Sequence, residues 1–333
     1  MLRRDFLKGA AAVVGGTSLA GAGITAAQAV TNWNWYIYFP SAQLASSRGV
    51  QRMIDQIAQK TGADLKIRLH LGGSMPISGS NITQAVQDQV VQIADDGFNE
   101  GTIPLAGIMR LPMLFENQAE FDQALEIVRP SLDKAFEDRG VIVLGRYRFP
   151  HQTFWGRFQL TSLADLAGKK VRVTSPQQGE FVQSFGAIPV TIAAAEVAPA
   201  LDRGVVDGVV TASSGGGLLW KDMLKYNYRL PSGYIDSTII VNKDAFGALT
   251  AETQQIVRDA VSEGTRWITD TMDADEDKIT QEMGEDGISI IPAKSEDIAL
   301  AREKMVPIWE KWAAARGDTV VTIVRDVRTK LGR

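Results

Sequence analysis

Apolar and charged residues alternate through Leu65-Lys66-Ile67-Arg68-Leu69-His70-Leu71, the period of two expected of a half-buried strand. Gly72-Gly73 ends it. Upstream, Val50, Met53, Ile54 and Ile57 fall at helical spacing, and Gly62 supplies a stop. Downstream, Asn81-Ile82-Thr83-Gln84 has the form of a capping box, with Val86, Val90 and Ile93 continuing a helix. The aromatic run Trp33 to Phe39 predicts a buried strand. This rhythm of strand and helix is that of an α/β layer architecture.

A second unit opens near Val141. Val141 to Leu144, Gln152 to Phe158, Lys170 to Val173, Ile188 to Ile192, Val205 to Val210 and Ile235 to Val241 all read as strands. Ser175-Pro176 starts a helix, with serine as cap and proline in the first turn, and that helix runs to about Phe185-Gly186. From Thr250 a helical pattern continues to about Gly284, with Ile256, Val257, Ala260, Val261, Ile268 and Met272 on its apolar face. Such a length exceeds the usual three or four turns and suits an element spanning two lobes. No repeat or long linker interrupts the pattern, so the lobes are expected to be joined by crossing strands.

The first 29 residues change the picture. Arg3-Arg4-Asp5-Phe6-Leu7-Lys8, an apolar Ala/Gly segment and Ala27-Gln28-Ala29 predict a twin-arginine export signal with a small-x-small cleavage site. The mature chain is then expected in the periplasm, with no stable membrane insertion. About 300 residues remain, enough for two domains. The 333-residue chain has no cysteine and only two histidines, His70 and His151. Disulfides, thiol catalysis and thiolate metal sites are thereby excluded, and no cofactor is expected. A net charge of −4 gives no broad pull toward nucleic acid.

Candidate chemistry centres on Lys169-Lys170-Val171-Arg172-Val173-Thr174-Ser175-Pro176. An arginine sits near the carboxyl end of a strand, just before a capped helix. Ligands of open α/β sheets gather at such strand ends, and a guanidinium fork fits a carboxylate. On spacing alone, Arg172 reads equally as a surface residue. Asp202-Arg203-Gly204-Val205-Val206-Asp207-Gly208 describes a helix end, a short strand and a turn, with Asp207 as turn chemistry. The loop Thr211 to Gly217 is small and polar, suited to donating hydrogen bonds or to merely connecting elements. Tyr38 and Phe39 stand at a strand's carboxyl end. Trp155 and Trp220 read either as pocket walls or as core.

In this order and spacing, several segments resemble the solute-binding subunits of tripartite ATP-independent periplasmic (TRAP) transporters. They are Leu163-Ala164-Asp165-Leu166-Ala167-Gly168-Lys169-Lys170-Val171-Arg172-Val173, Phe185 to Val190, Glu196-Val197 with Ala200-Leu201, Gly204 to Gly208, and Leu111-Pro112 with Phe115. The resemblance covers about Asn32 to Val320. It implies a two-lobed, type II-like periplasmic-binding-protein fold, each lobe a mixed sheet flanked by helices, with a long helix bridging them. Lobe I would comprise 30–149 plus 238–277, and lobe II 150–237 plus 278–333. It implies a small organic-acid ligand gripped by Arg172, and membrane permease subunits as partners. Thr211 stands where the family pattern has an asparagine, and His151-Gln152-Thr153 where it often has a second arginine. One fewer fixed cation points to a monocarboxylate, and Phe39, Phe98 and Trp155 to an apolar or aromatic body. With Trp220, these are the expected site residues. The rival classes are an exported carboxylate-acting enzyme, working through Asp95, Asp96 or Glu100, and a ligand-sensing receptor partner.

Overall fold

The computed structural model describes residues 30–333. The expected export signal lies outside them. The first stretch of chain runs β1 (Thr31–Ile37), α1 (Ala45–Lys60), β2 (Leu65–His70), α2 (Ile82–Gln87), β3 (Ile93–Asp96), α3 (Gln118–Glu137) and β4 (Val141–Arg148). The second runs β5 (Thr153–Gly156), β6 (Lys170–Val173), α4 (Pro176–Ser184), β7 (Ile188–Thr191), α5 (Ala194–Asp202), β8 (Gly208–Thr211), α6 (Leu218–Trp220) and β9 (Tyr226–Tyr228). The third runs β10 (Asp236–Asn242), α7 (Lys243–Gly247), α8 (Ala251–Glu285), β11 (Ser289–Ile291), α9 (Ser295–Ala314) and α10 (Asp318–Lys330).

Two mixed sheets result, each the floor of one lobe. The first has the order β2-β1-β3-β10-β4 and the second β11-β9-β5-β8-β6-β7. β1 lies parallel between β2 and β3, while β10 enters antiparallel between β3 and β4. Trp33, Trp35 and Ile37 are buried along β1, as the aromatic run predicts. In the second lobe β6 runs parallel to both β7 and β8, so Arg172, Thr211 and Thr191 reach the same end of the sheet. Among the described residues no helix is long and apolar enough to cross a membrane.

The chain crosses between lobes at Phe149–Gln152 and again between β9 and β10. These two crossings pair with each other. Phe149 N–H donates to the Ile235 carbonyl at 3.0 Å, Gln152 N–H to Gly233 at 2.8 Å, and Ser232 N–H to Gln152 at 2.9 Å. A paired two-strand ribbon bends more readily than it stretches, which suits a hinge. The third crossing is α8, 35 residues long and capped by the Thr250 hydroxyl, which accepts from Thr253 N–H. Its first half packs on α1 and β4, its second on the loop after β8. The C-terminal helix α10 packs on α3, and Arg333 pairs with Glu120 at 2.6 Å. That helix lies on the first lobe's side, where the expected division had put the whole of 278–333 in the second.

Local expectations fail at three places. Asn81 makes no side-chain cap, and Gln84 bonds forward to Asp88 at 2.8 Å instead of back. The helix stops at Gln87, leaving Val90 exposed and Ile93 in β3. Val205-Val206 is a turn, not a strand: Val205 faces solvent, Val206 enters the core, and β8 begins at Gly208. Asp207, read as turn chemistry, instead anchors the segment to β6: its carboxylate accepts from Lys170 N–H at 2.8 Å and its own N–H donates to the Lys170 carbonyl at 2.7 Å.

Gly49 on α1 faces α8 so closely that a Cβ there would overlap the buried Ile268 side chain. Overpacking costs about 1–3 kcal/mol, against about 1 kcal/mol gained from alanine's helix propensity. Gly49→Ala should therefore lower stability by about 1 kcal/mol, measured as a lower urea midpoint at unchanged slope.

Candidate functional site

The strand ends of both sheets face one enclosed crevice. Tyr38, Phe39, Gly97 and Phe98 wall it from the first lobe, and Phe149, Gln152 and Ile235 from the hinge. Arg172, Thr174, Thr211, Gly216 and Trp220 wall it from the second. The free space is small, about 20 Å³, room for a water or two.

Arg172 is the centre of the site. It is 3% exposed, held by β6 beneath the hinge. Its Nε donates to the Ile192 carbonyl at 3.1 Å, and its guanidinium lies 5.3 Å from the Trp220 ring centroid. Of the three buried arginines among the described residues, Arg110 pairs with Glu100 and Asp236, and Arg148 with Asp273. Arg172 has no such carboxylate. Burial pushes its guanidinium down to about 10, so it remains a cation at neutral pH. A buried unpaired charge is costly, and an anionic partner relieves that cost.

Thr211 ends β8 with its hydroxyl accepting from Gly216 N–H at 3.0 Å, which leaves the hydroxyl proton free to donate. Gly216 has no room for a Cβ beside the Trp220 ring and Thr211 Oγ1. The 211–217 loop is fixed from beneath by Glu276 of α8. This buried carboxylate accepts from Ser213 N–H at 3.1 Å, Ser214 N–H at 2.8 Å and Ser214 Oγ at 2.9 Å, and pairs with Arg229 at 3.0 Å. The bridging helix thus carries the clamp on a cavity-facing loop.

Of the expected residues, Arg172, Thr211, Phe39, Phe98 and Trp220 come together at the crevice, while His151 and Trp155 do not line it. Trp155 is core: it is 1% exposed, and its Nε1–H donates to the Thr211 carbonyl at 3.0 Å from behind the wall. The His151 ring stacks on Tyr234 at 4.0 Å and reaches the Glu116 carbonyl, turned away from the cavity. Gln152, its neighbour, faces the cavity instead. Tyr38, Phe149, Thr174 and Ile235 are further walls. Tyr38 stands at a strand's carboxyl end and Ile235 opens the strand read from Ile235 to Val241, while Phe149 and Thr174 sit in hinge or loop segments without periodicity.

Asp95 and Asp96, where a rival enzyme would place its acid and base, lie beneath the wall and not on it. Asp95 accepts from Tyr147 Oη at 2.6 Å and from Ser237 Oγ. Asp96 accepts from Thr83 Oγ1 at 2.5 Å and Phe98 N–H at 2.8 Å. Burial raises Asp95 to about 7 against the pull of those hydroxyls, with a further push from Asp96, and raises Asp96 to about 6. They brace the floor under Tyr38 and Phe98.

Two outcomes follow from these networks. The folded state holds the Asp95 proton more tightly than the unfolded chain. Its contribution to stability is full below pH 4 and falls as pH rises toward 7. Asp95→Asn should flatten the fall in unfolding free energy between pH 5 and 7 relative to wild type, read by urea titration at each pH. Glu276→Ala removes the carboxylate partner of Arg229, leaves two buried backbone N–H groups without an acceptor, and should cost about 1–3 kcal/mol in the same titration.

The comparisons with known proteins agree with this geometry. The model of bacterial extracellular solute-binding protein family 7, DctP, matches residues 39–315. The uncharacterised protein YiiZ of Salmonella typhimurium is 26% identical over 62% of this chain and 65% of its own, so the chain spans just under two thirds of that relative. The ectoine/5-hydroxyectoine-binding periplasmic protein UehA of Ruegeria pomeroyi is 28% identical, over 77% of this chain and 75% of its own. Among solved structures, DctP6, a Bordetella pertussis extracytoplasmic solute receptor binding pyroglutamic acid, superposes with a TM-score of 0.84 at 23% identity, covering 90% of this chain and 100% of that one. With two mixed sheets, a hinge ribbon and a match over residues 39–315, the chain belongs to the bacterial extracellular solute-binding proteins of family 7.

Proposed function

We propose that the protein captures a small monocarboxylate between its lobes and presents it to the permease subunits of a TRAP transporter. The observation that carries this reading is Arg172, the one buried arginine without a carboxylate among the described residues. A single such cation balances a single carboxylate. A dianion would bring a second charge with no buried partner. Five of the other wall residues, Tyr38, Phe39, Phe98, Phe149 and Trp220, are aromatic, which favours a compact, flat or cyclic body. Relatives that bind pyroglutamic acid and ectoine fit that description, since each of these ligands is a small ring bearing one carboxylate. The same reading places the mature protein in the periplasm, exported by the twin-arginine signal of residues 1–29.

Binding follows from the hinge. Open lobes leave Arg172 hydrated, and closure removes that water. A carboxylate that replaces it stabilises the closed form over the open one, which is the condition for ligand-driven closure. Micromolar affinity needs about −8 kcal/mol, within reach of one charge-assisted pair and the burial of a small ring.

Titration calorimetry with pyroglutamate tests this. Arg172→Met should weaken binding by about 30-fold or more, the cost of a buried carboxylate left without its partner. The same variant should unfold at an equal or higher temperature than wild type without ligand, because a lone buried charge has been removed. Unchanged affinity in Arg172→Met would reject the assignment.

A further inference from the structure

The polar atoms of the cavity wall divide into donors and acceptors by the bonds they already make. Arg172 uses its Nε on the Ile192 carbonyl, which leaves the terminal nitrogens of the fork as donors. Thr211 Oγ1 accepts from Gly216 N–H, so its proton is free to donate. The two oxygens of one carboxylate answer these donors.

Two further wall residues carry the opposite demand. Gln152 is 1% exposed and lines the cavity from the hinge. Its backbone is fixed on both sides: its N–H donates to the Gly233 carbonyl at 2.8 Å, and its carbonyl accepts from Ser232 N–H and Ser232 Oγ, each at 2.9 Å. Its Nε2 donates to the Pro150 carbonyl at 2.9 Å. A carbonyl only accepts, so this bond decides which end of the amide is nitrogen. The nitrogen is taken up within the hinge, and Oε1 is the open end of the side chain. Thr174 lines the same cavity. Its N–H and its hydroxyl both donate to Gln178 Oε1, at 2.9 and 2.8 Å, so its Oγ1 keeps only lone pairs for a guest.

A carboxylate has no proton for such atoms. An acceptor sealed from water without a donor weakens binding as surely as a lost hydrogen bond. The cavity is also small, about 20 Å³, which keeps the cation and the acceptors close together. The donor that answers them therefore sits beside the carboxylate of the guest and not at its far end.

We propose that Gln152 is a specificity-determining residue, whose Oε1 selects acids with an N–H or O–H donor next to the carboxylate over acids whose body is apolar throughout. This rests on the monocarboxylate reading above and narrows it. Arg172 sets the charge of the guest, and Gln152 sets the polar group beside that charge. Lactam-ring acids and α-hydroxy acids meet both demands. Plain cycloalkyl and aryl acids meet only the first. Thr174 Oγ1 is a second acceptor for the same donor or for a neighbouring one.

The test is titration calorimetry with two rings of the same size. Pyroglutamate has a lactam N–H beside its carboxylate. Its carbocyclic counterpart, a cyclopentanone carboxylate, has CH2 in place of that N–H and is otherwise the same. Wild type should bind pyroglutamate at least tenfold more tightly, because a site built to hydrogen-bond a donor rejects the analogue that lacks it. Gln152→Met, which keeps the length but has no amide oxygen, should bring the ratio below threefold. The ratio is the readout because a hinge loosened by loss of the Pro150 bond weakens both rings alike and cancels. Gln152→Leu takes its place if Gln152→Met does not fold. A wild-type ratio below tenfold, or a variant ratio of threefold or more, overturns the role of Gln152. If pyroglutamate binds, Arg172→Met weakens it and the two rings bind wild type alike, this inference alone falls. If neither ring binds wild type, the carboxylate reading of Arg172 falls with it.

Discussion

A guanidinium sealed from water without a counter-charge is the constraint around which this structure is arranged. Arg172 cannot shed its proton at neutral pH and has only the Ile192 carbonyl and the Trp220 ring for company. Neither neutralises it. A folded chain tolerates such a group when its surroundings are rigid enough to prevent collapse and when a partner of opposite charge completes the site. The rigidity is visible on both sides. Glu276 clamps the 211–217 loop through two backbone N–H groups, and Asp95 and Asp96 tie the floor beneath Tyr38 and Phe98 to hydroxyls on three elements.

The hinge gives that constraint a mechanical outlet. The two crossings hydrogen-bond to each other and not to either sheet's centre, so bending them leaves both cores intact. α8 ties the motion to the site. Its first half is packed on α1 and β4, its second carries Glu276 and the 211–217 loop, and Asp273 between them holds Arg148 at the end of β4 at 2.5 Å. A change in lobe angle is thereby felt at Thr211, Gly216 and Trp220. The C-terminal hairpin limits the range. α9 lies on α4 while Trp309 donates to the Pro112 carbonyl at 2.8 Å, and α10 packs on α3. Opening has to slide or lift this strap, a cost that ligand-free closure does not bear.

Much of the fold was legible because it is written locally. The alternation in β2, the Ser175-Pro176 start of α4 with Ser175 accepting from Gln178 N–H, and the apolar stripe of α8 each need only neighbours in sequence. Arg172 was legible for the same reason, as a strand end next to a helix start. The errors have two causes, one local and one not. The Asn81 box failed because Gln84 had a nearer partner in Asp88 and Gln89 turns the chain at φ 57°. His151 and Trp155 were misplaced because alternation says which face a side chain takes and not which side of a wall that face becomes. In β5 the inward face of Trp155 is core, its indole bonded to the back of Thr211. Phe149, Gln152 and Ile235 lie in the crossings, where backbone pairing between segments some 80 residues apart decides direction. The strands read from Gln152 and from Ile235 begin at two of these positions, but periodicity there does not say which side chains face the cavity.

The single cation on the crevice wall bears on how such a protein discriminates. Affinity alone would be served by more contacts to the carboxylate, yet only one cation reaches the inner cavity. Adding a second arginine would raise affinity for every dianion in the periplasm. Leaving Arg172 alone works against those competitors. A sugar diacid or dicarboxylate would have to bury a second carboxylate with no cation to meet it. Specificity in this crevice then comes as much from the second cation that the wall withholds as from the one that Arg172 supplies.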